Sequence, residues 1–109
     1  MKRIVLIAAL ATALAAALPA VAATPTFKGN VGPGFTIKMV SKPTKAGKVK
    51  LVITDKSNIH NFHLTGPGVN VKTSVAAVGT KTFIVTLKKG TYKFVCDPHL
   101  FMKGSFTVK

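Results

Sequence analysis

Apolar and polar residues alternate along most of the chain after residue 23, in short segments whose apolar members recur at every second position. The apolar sets are Phe35, Ile37 and Met39; Val49, Leu51 and Ile53; Phe83, Val85 and Leu87; Tyr92, Phe94 and Cys96; and Phe106 and Val108. A period of two places these side chains on one face of an extended strand. Each segment is therefore predicted to be a β-strand with one buried face, and no segment after residue 23 has the period of an amphipathic helix.

Glycine and proline separate the predicted strands and mark the turns between them. They stand at Gly32-Pro33-Gly34, Lys42-Pro43, Gly66-Pro67-Gly68, Gly79 and Gly90. Short strands at this spacing predict an all-β fold, a single small antiparallel Greek-key β-sandwich. Residues 74–79 are consistent with either a strand or a loop, and the last strand is expected to begin at about Gly104.

The first 23 residues follow a different pattern. A basic start, Met1-Lys2-Arg3, precedes an apolar run from Ile4 to Leu18, and Pro19 and the small residues Ala20-Val21-Ala22 come next. This order is typical of a cleaved secretory signal peptide. A membrane-spanning helix is the alternative, but Pro19 and the lack of a basic stop after it disfavour one. We therefore predict a signal peptide at residues 1–23 and an exported domain at residues 24–109, located in the periplasm of a bacterium and without stable membrane insertion.

The charge of the predicted domain is strongly positive. Residues 24–109 contain 14 lysines and no arginine, and their only acids are Asp55 and Asp97, so the net charge is about +12. Such a surface favours acidic protein partners and speeds association with them at low salt. Nucleic acid is disfavoured, because arginine dominates bidentate recognition of bases and phosphates and none is present. A lysine surface that only keeps a small monomer soluble explains the same charge equally well.

The residues that can bind a metal lie in two short segments. Cys96, His99 and Met102 follow one another at intervals of three, and the two remaining histidines, His60 and His63, lie far upstream. A thiolate, two imidazoles and a weak axial thioether form a donor set that suits copper in both oxidation states. A lone cysteine in an oxidising compartment also needs protection, by burial or by a metal. From the residues alone, the second histidine ligand is either His60 or His63.

These motifs resemble those of the cupredoxins, the blue copper proteins that include plastocyanin, azurin and amicyanin. Cys-Asp-Pro-His-Leu-Phe-Met at residues 96–102 is similar to their ligand loop, with a spacing closest to that of amicyanin, and His-Asn at residues 60–61 resembles their upstream ligand pair. The Gly-Thr-Tyr segment that begins at Gly90 resembles the strand leading into the cysteine. The resemblance covers residues 48–109.

The resemblance implies one copper ion held by His60, Cys96 and His99 as strong ligands and by Met102 as the long axial ligand. It further implies that Asn61 tethers the two ligand segments and that its backbone amide donates a hydrogen bond to the cysteine sulfur. Pro98 matches the family's proline, which stiffens the loop.

Asp97 departs from the family pattern, because related loops carry serine or threonine at its position. A carboxylate near the copper is expected to favour the oxidised ion and lower the reduction potential, unless solvent screens it. Lys103, directly after Met102, places a positive charge beside the expected route of electron transfer.

Each of these residues also has a purely structural interpretation. Cys96 would then be a buried thiol and Met102 part of the core, while His63 is interpreted as a packing or outer-shell histidine. The residues contain no catalytic set, so we predict an electron carrier that is not an enzyme. A copper carrier or storage protein is the alternative, and a metal-free cationic sandwich that binds acidic surfaces is a third hypothesis.

Overall fold

The structure, a computed structural model, describes residues 23–109. The predicted signal peptide lies outside the described residues except for Ala23. The described part contains eight strands: β1 (Thr26–Val31), β2 (Ile37–Met39), β3 (Gly47–Asp55), β4 (His63–Gly66), β5 (Val69–Lys72), β6 (Gly79–Leu87), β7 (Gly90–Cys96) and β8 (His99–Val108). Within residues 23–109, no helix is long and apolar enough to cross a membrane.

The strands form two four-stranded sheets, in the orders β2-β1-β3-β6 and β5-β4-β7-β8. The chain passes from one sheet to the other between β3 and β4, between β5 and β6, and between β6 and β7. These connections make the domain a β-sandwich of two four-stranded sheets, as the alternating pattern predicted.

Every strand pair is antiparallel except one. β1 pairs with β3 in parallel, from Thr26 opposite Lys50 to Val31 opposite Asp55. The predicted antiparallel sandwich thus contains one parallel pair, which residue alternation could not show, because alternation fixes which face of a strand is buried but not the direction of its neighbour. On its other side, β3 forms a nine-residue antiparallel ladder with β6.

The core lies between the inner faces of the two sheets. The core contains the predicted apolar residues of β3, β7 and β8. It also contains Phe62, which comes just before β4, and Leu64, which is buried on β4. Phe62 stacks on Phe94 with ring centroids 5.4 Å apart, and Tyr92 stacks on Phe106 at 5.2 Å. Such aromatic pairs combine a large buried apolar area with a defined geometry, so they fix how the strands of the second sheet pack.

The buried hydroxyl of Tyr92 is satisfied by backbone groups of two turns. It donates a hydrogen bond to the carbonyl of Pro67 at 2.8 Å and accepts one from the Lys88 amide at 2.9 Å. The β4–β5 turn packs so closely on this ring that a Cβ atom at Gly66 would overlap it. The side chain of Tyr92 therefore joins the β4–β5 turn to the β6–β7 turn.

Two local predictions differ from the structure, and a third segment, which the pattern left open between strand and loop, is a loop. Phe35 lies in a bend before β2, not on a strand, and its side chain is 58% exposed. The last strand begins at His99 instead of Gly104, since the chain reverses within Asp97 and Pro98 and pairing resumes at once with Cys96 opposite His99. Residues 74–78 form a loop with a turn, and β6 begins at Gly79.

Candidate metal centre

Three metal-binding side chains meet at one end of the sandwich because of the way two segments end. Cys96 is the last residue of β7 and His99 is the first residue of β8, so the two-residue turn between them places both beside each other. His60 lies in the loop between β3 and β4, which carries the chain from the first sheet to the second. A strand end, a strand start and a crossing loop thus converge.

The donor atoms of these residues are close together. The Cys96 Sγ atom is 3.7 Å from His60 Nδ1 and 3.6 Å from His99 Nδ1, and the two imidazole nitrogens are 3.0 Å apart. All three donors lie within 4.8 Å of one another. A triangle of two nitrogens and one sulfur with these edges surrounds a space of the size that one metal ion occupies.

Met102, the fourth candidate ligand, is a buried residue. Its side chain is 2% exposed and belongs to the buried cluster that contains Cys96. It follows His99 by three residues on β8, the strand that begins beside the donor triangle. His60, Cys96, His99 and Met102 therefore lie together as a potential copper site.

The two histidines of the donor triangle differ in exposure and are flanked by aromatic rings. His60 is fully buried, and its Nε2 atom has no hydrogen-bond partner among the described residues. His99 is partly exposed. The ring of Phe35 packs edge-on against both, at centroid distances of 5.2 Å from His60 and 5.0 Å from His99. Sequence reasoning had assigned Phe35 to the core, and its position directly after Gly32-Pro33-Gly34 was the available signal that it belongs to a turn.

Asn61 joins the two ligand segments through its buried side-chain amide. Its Oδ1 atom accepts a hydrogen bond from the backbone amide of Asp97 at 2.7 Å, and its Nδ2 atom donates to Asp97 Oδ2 at 2.7 Å and to the carbonyl of Thr73 at 3.3 Å. This is the tethering position that the family resemblance implied. The implied bond from the Asn61 backbone amide to the cysteine sulfur does not appear among the hydrogen bonds of residues 23–109.

His63 does not contribute a donor atom to the triangle and instead binds Asp97. The Nδ1 atom of His63 is 2.8 Å from Asp97 Oδ1, and its Nε2 atom is 2.7 Å from Asn70 Oδ1. The hydrogen bond to Asp97 and then that to Asn70 raise the pKa of His63 above its usual value of 6.5. The hydrogen bond from His63 is also the largest cause that lowers the pKa of Asp97 below 3.8, so the carboxylate is held in its charged form.

Asp55, which sequence reasoning left without a role, is the second acid of the domain. Its carboxylate is buried at the end of β3, where Oδ1 accepts a hydrogen bond from the Ser57 amide at 2.9 Å and Oδ2 has no partner among the described residues. Burial raises the pKa of Asp55 above 3.8. Since it sits at the base of the loop that carries His60, it is part of the support of that loop.

The donor set matches copper chemistry. Two imidazole nitrogens and a thiolate with a thioether nearby are the ligands of blue copper centres, whereas structural zinc sites have four strong nitrogen or sulfur ligands. Asp55 and Asp97, the only acids among the described residues, do not contact each other, and neither contributes an atom to the triangle. The residues at this end of the sandwich therefore fit a single copper ion.

Comparison with known proteins agrees with the fold. The model of the cupredoxin-like domain family matches residues 4–108, and the chain belongs to this family. Cupredoxins are in general electron carriers. A comparison with curated proteins finds no match.

Among solved structures, the chain is similar to the copper protein rusticyanin, with 23% identity, a TM-score of 0.61, and 79% of this chain and 78% of the other covered. It is also similar to rusticyanin from Thiobacillus ferrooxidans, with 24% identity, a TM-score of 0.53, and coverage of 79% and 77%. A Cu(I) structure of an amicyanin variant gives 16% identity, a TM-score of 0.56, and coverage of 84% and 87%. At these identities the likeness concerns the fold.

Proposed function

We propose that this chain is an exported blue copper protein that transfers single electrons between redox partners. The observation that carries the proposal is the convergence of the Cys96 thiol with His60 and His99, all within 4.8 Å, in a cupredoxin fold. When bound, a copper ion at this site would supply reversible one-electron chemistry. Met102 is proposed as the fourth, weak ligand.

The protein's own contribution is to hold the ligands still during electron transfer. His60 and Cys96 are fully buried, and each ligand segment is anchored to the other through Asn61. In a closely packed interior, side chains cannot move without a cost in free energy. The same side chains would therefore hold a copper ion in both oxidation states, which would limit the rearrangement that accompanies each transfer.

Electrons are proposed to enter and leave through His99. Its ring is the only imidazole of the donor triangle that reaches the surface, and the exposed side chains of Phe35, Leu100 and Phe101 surround that end of the molecule. The rings of His99 and Phe101 have centroids 5.9 Å apart. An apolar rim lets a partner approach the histidine edge closely without removing water from charged groups.

The partners are proposed to be acidic redox proteins. The predicted exported domain has a net charge of about +12, so an acidic surface would be attracted over long distances and its association would slow as salt screens the field. Export rests on the signal-like pattern of residues 1–23, and we propose the bacterial periplasm as the location. Electron transfer rates to an acidic partner, measured from low to high ionic strength, should fall steadily. A rate independent of salt contradicts this part of the proposal.

Copper titration of the purified domain tests the function. An intense blue colour that a reductant bleaches and an oxidant restores is expected, and Cys96→Ser should abolish it because the thiolate is lost. The matched control is Thr107→Ser, a small change on an exposed face of β8, which should leave the colour unchanged. Pale, easily chelated copper would instead identify a carrier or storage protein. Absence of copper binding would overturn both functions.

A further inference from the structure

A chain of hydrogen bonds connects the outer face of the second sheet to the turn between two of the proposed ligands. It runs from Asn70 on β5 to His63 on β4, then to Asp97 in the turn, and then to Asn61 beside His60, with donor–acceptor distances of 2.7, 2.8 and 2.7 Å. The two oxygens of Asp97 thus have different partners. Its Oδ1 faces His63 and its Oδ2 faces Asn61.

The sheet register explains why His63 can reach this turn. His63 is the first residue of β4 and stands opposite Val95 of β7, two residues before Asp97. On its other side it stands opposite Lys72 of β5, and Val95 in turn stands opposite Lys103 of β8. Backbone pairing therefore aligns His63 with the turn. Among the described residues, Asp97 is the only acid near the basic side chains of Lys72, His63 and Lys103.

The ring of His63 is held on both sides by oxygen atoms. Its Nδ1 donates to the Asp97 carboxylate, and its Nε2 faces Asn70 Oδ1, an arrangement that satisfies both ring N–H groups of an imidazolium. The side chain is 21% exposed and that of Asp97 is 40% exposed. A hydrogen bond to a charged carboxylate in this intermediate environment both orients the group and offsets its charge.

We propose that His63 is a positioning residue of the copper site, which holds Asp97 in place and reduces the effect of its negative charge on the copper. This inference rests on the proposed function. Without His63, the carboxylate would keep only the Asn61 contact and its charge would be less compensated. A negative charge beside the site favours the oxidised ion, so loss of His63 should lower the reduction potential although His63 touches none of the proposed ligand atoms.

The test compares copper-loaded full domains that carry His63→Leu, which removes both ring donors, or His63→Gln, which keeps an amide donor. Thr65→Leu is the matched control, because Thr65 is exposed on the same face of β4, two residues further from the turn. The readouts are the blue absorption and the equilibrium constant for reduction by a reference couple. We expect the colour to persist in all three variants.

The reduction constant should fall about two- to fivefold in His63→Leu, the range that a partly exposed charge pair supports. His63→Gln should restore at least half of this loss, and Thr65→Leu should have no effect. In an Asp97→Ser background, where the side chain at position 97 is too short to reach His63, the effect of His63→Leu should disappear, as expected of two residues that act through one contact.

Several outcomes would overturn the proposal. One is a blue His63→Leu variant with an unchanged reduction constant, and another is an equal change with and without the Asp97 carboxylate. In both cases the blue colour of the native domain would leave the proposed function intact, whereas a colourless native domain would refute that function itself. If leucine prevents folding, His63→Asn, which is polar but too short to reach Asp97, takes its place, and an unchanged constant would again overturn the proposal.

Discussion

Replacing Asn61 with alanine removes three hydrogen bonds that join separate parts of the chain. The side chain is 2% exposed, accepts from the Asp97 amide, and donates to the Asp97 carboxylate and to the Thr73 carbonyl. Alanine is too short to replace any of these contacts, and the site is too enclosed for water to do so freely. The substitution therefore leaves backbone groups of two segments without their partner.

The magnitude follows from the type of each bond. The two bonds to backbone groups contribute about 1 kcal/mol each, and the bond to the carboxylate contributes about 1.5 kcal/mol, at the lower end for a charged partner because Asp97 is 40% exposed. Together the loss is roughly 3 to 4 kcal/mol. Since domains of this size are stable by about 5 to 15 kcal/mol, Asn61→Ala should lose a large share of its stability.

Urea denaturation of the metal-free domain, followed by far-ultraviolet circular dichroism because the chain has no tryptophan, measures this loss. Asn70→Ala is the control, since Asn70 is exposed and its side chain makes one hydrogen bond, to His63; it should lose less than about 1 kcal/mol. Asn61→Asp should be about as unstable as Asn61→Ala, because it places a second carboxylate against Asp97. If Asn61→Ala costs no more than Asn70→Ala, the tether does not hold the segments together.

Three further predictions concern stability. Tyr92→Phe should lose about 1 to 3 kcal/mol in urea denaturation, because it leaves an amide and a carbonyl without their hydroxyl partner; the blue absorption of the copper form should be unchanged. The stabilisation from the His63–Asp97 pair should be greatest between pH 3.8 and 6.5. Because the pKa of His63 is raised on folding, the stabilisation from His63 is complete below pH 6.5 and is lost as the pH rises through the folded-state pKa. Because the pKa of Asp97 is lowered on folding, the stabilisation from Asp97 is complete above pH 3.8 and is lost as the pH falls below that value. The stability difference between the metal-free native domain and His63→Gln should therefore shrink at pH 9, and a constant difference would contradict the assignment. Asp55→Asn should increase the stability of the metal-free domain towards urea at pH 7 and increase it less near pH 4, because burial raises the pKa of Asp55 and makes its charged form costly. A loss of stability at pH 7 would show that the charge is needed.

Alternation of residues along the chain was sufficient to predict most of the strands. β3, β6 and β7 carry apolar residues at every second position, and those positions are buried as expected except for Phe83 of β6, which is only partly buried. The start of β8 was missed because His99, Leu100 and Phe101 do not alternate and two of them are exposed. Pairing with the end of β7 defines this part of the strand, and such pairing leaves no pattern in a single segment.

Phe35 follows the alternating pattern, but its side chain does not lie on the strand face that the pattern predicts. It continues the alternation of Ile37 and Met39, yet the chain bends before Ile37 and carries the ring to the two histidines. The edge-on contacts with the two imidazoles give the Phe35 ring packing partners outside the core. Alternation alone could not distinguish the two positions, because it does not show where a strand begins, and only the preceding Gly32-Pro33-Gly34 indicated a turn.

The sequence by itself determined the all-β class, the core residues of the strands with regular alternation and the types of side chain that can bind a metal, since periodicity and chemistry are properties of a linear chain. Only the tertiary structure decided that β1 runs parallel to β3, that His60 instead of His63 joins Cys96 and His99, and that His63 reaches Asp97. These features depend on which residues meet across strands that are distant in sequence. A contact between residues 34 positions apart, such as that of His63 with Asp97, exists only once strand pairing has set their register.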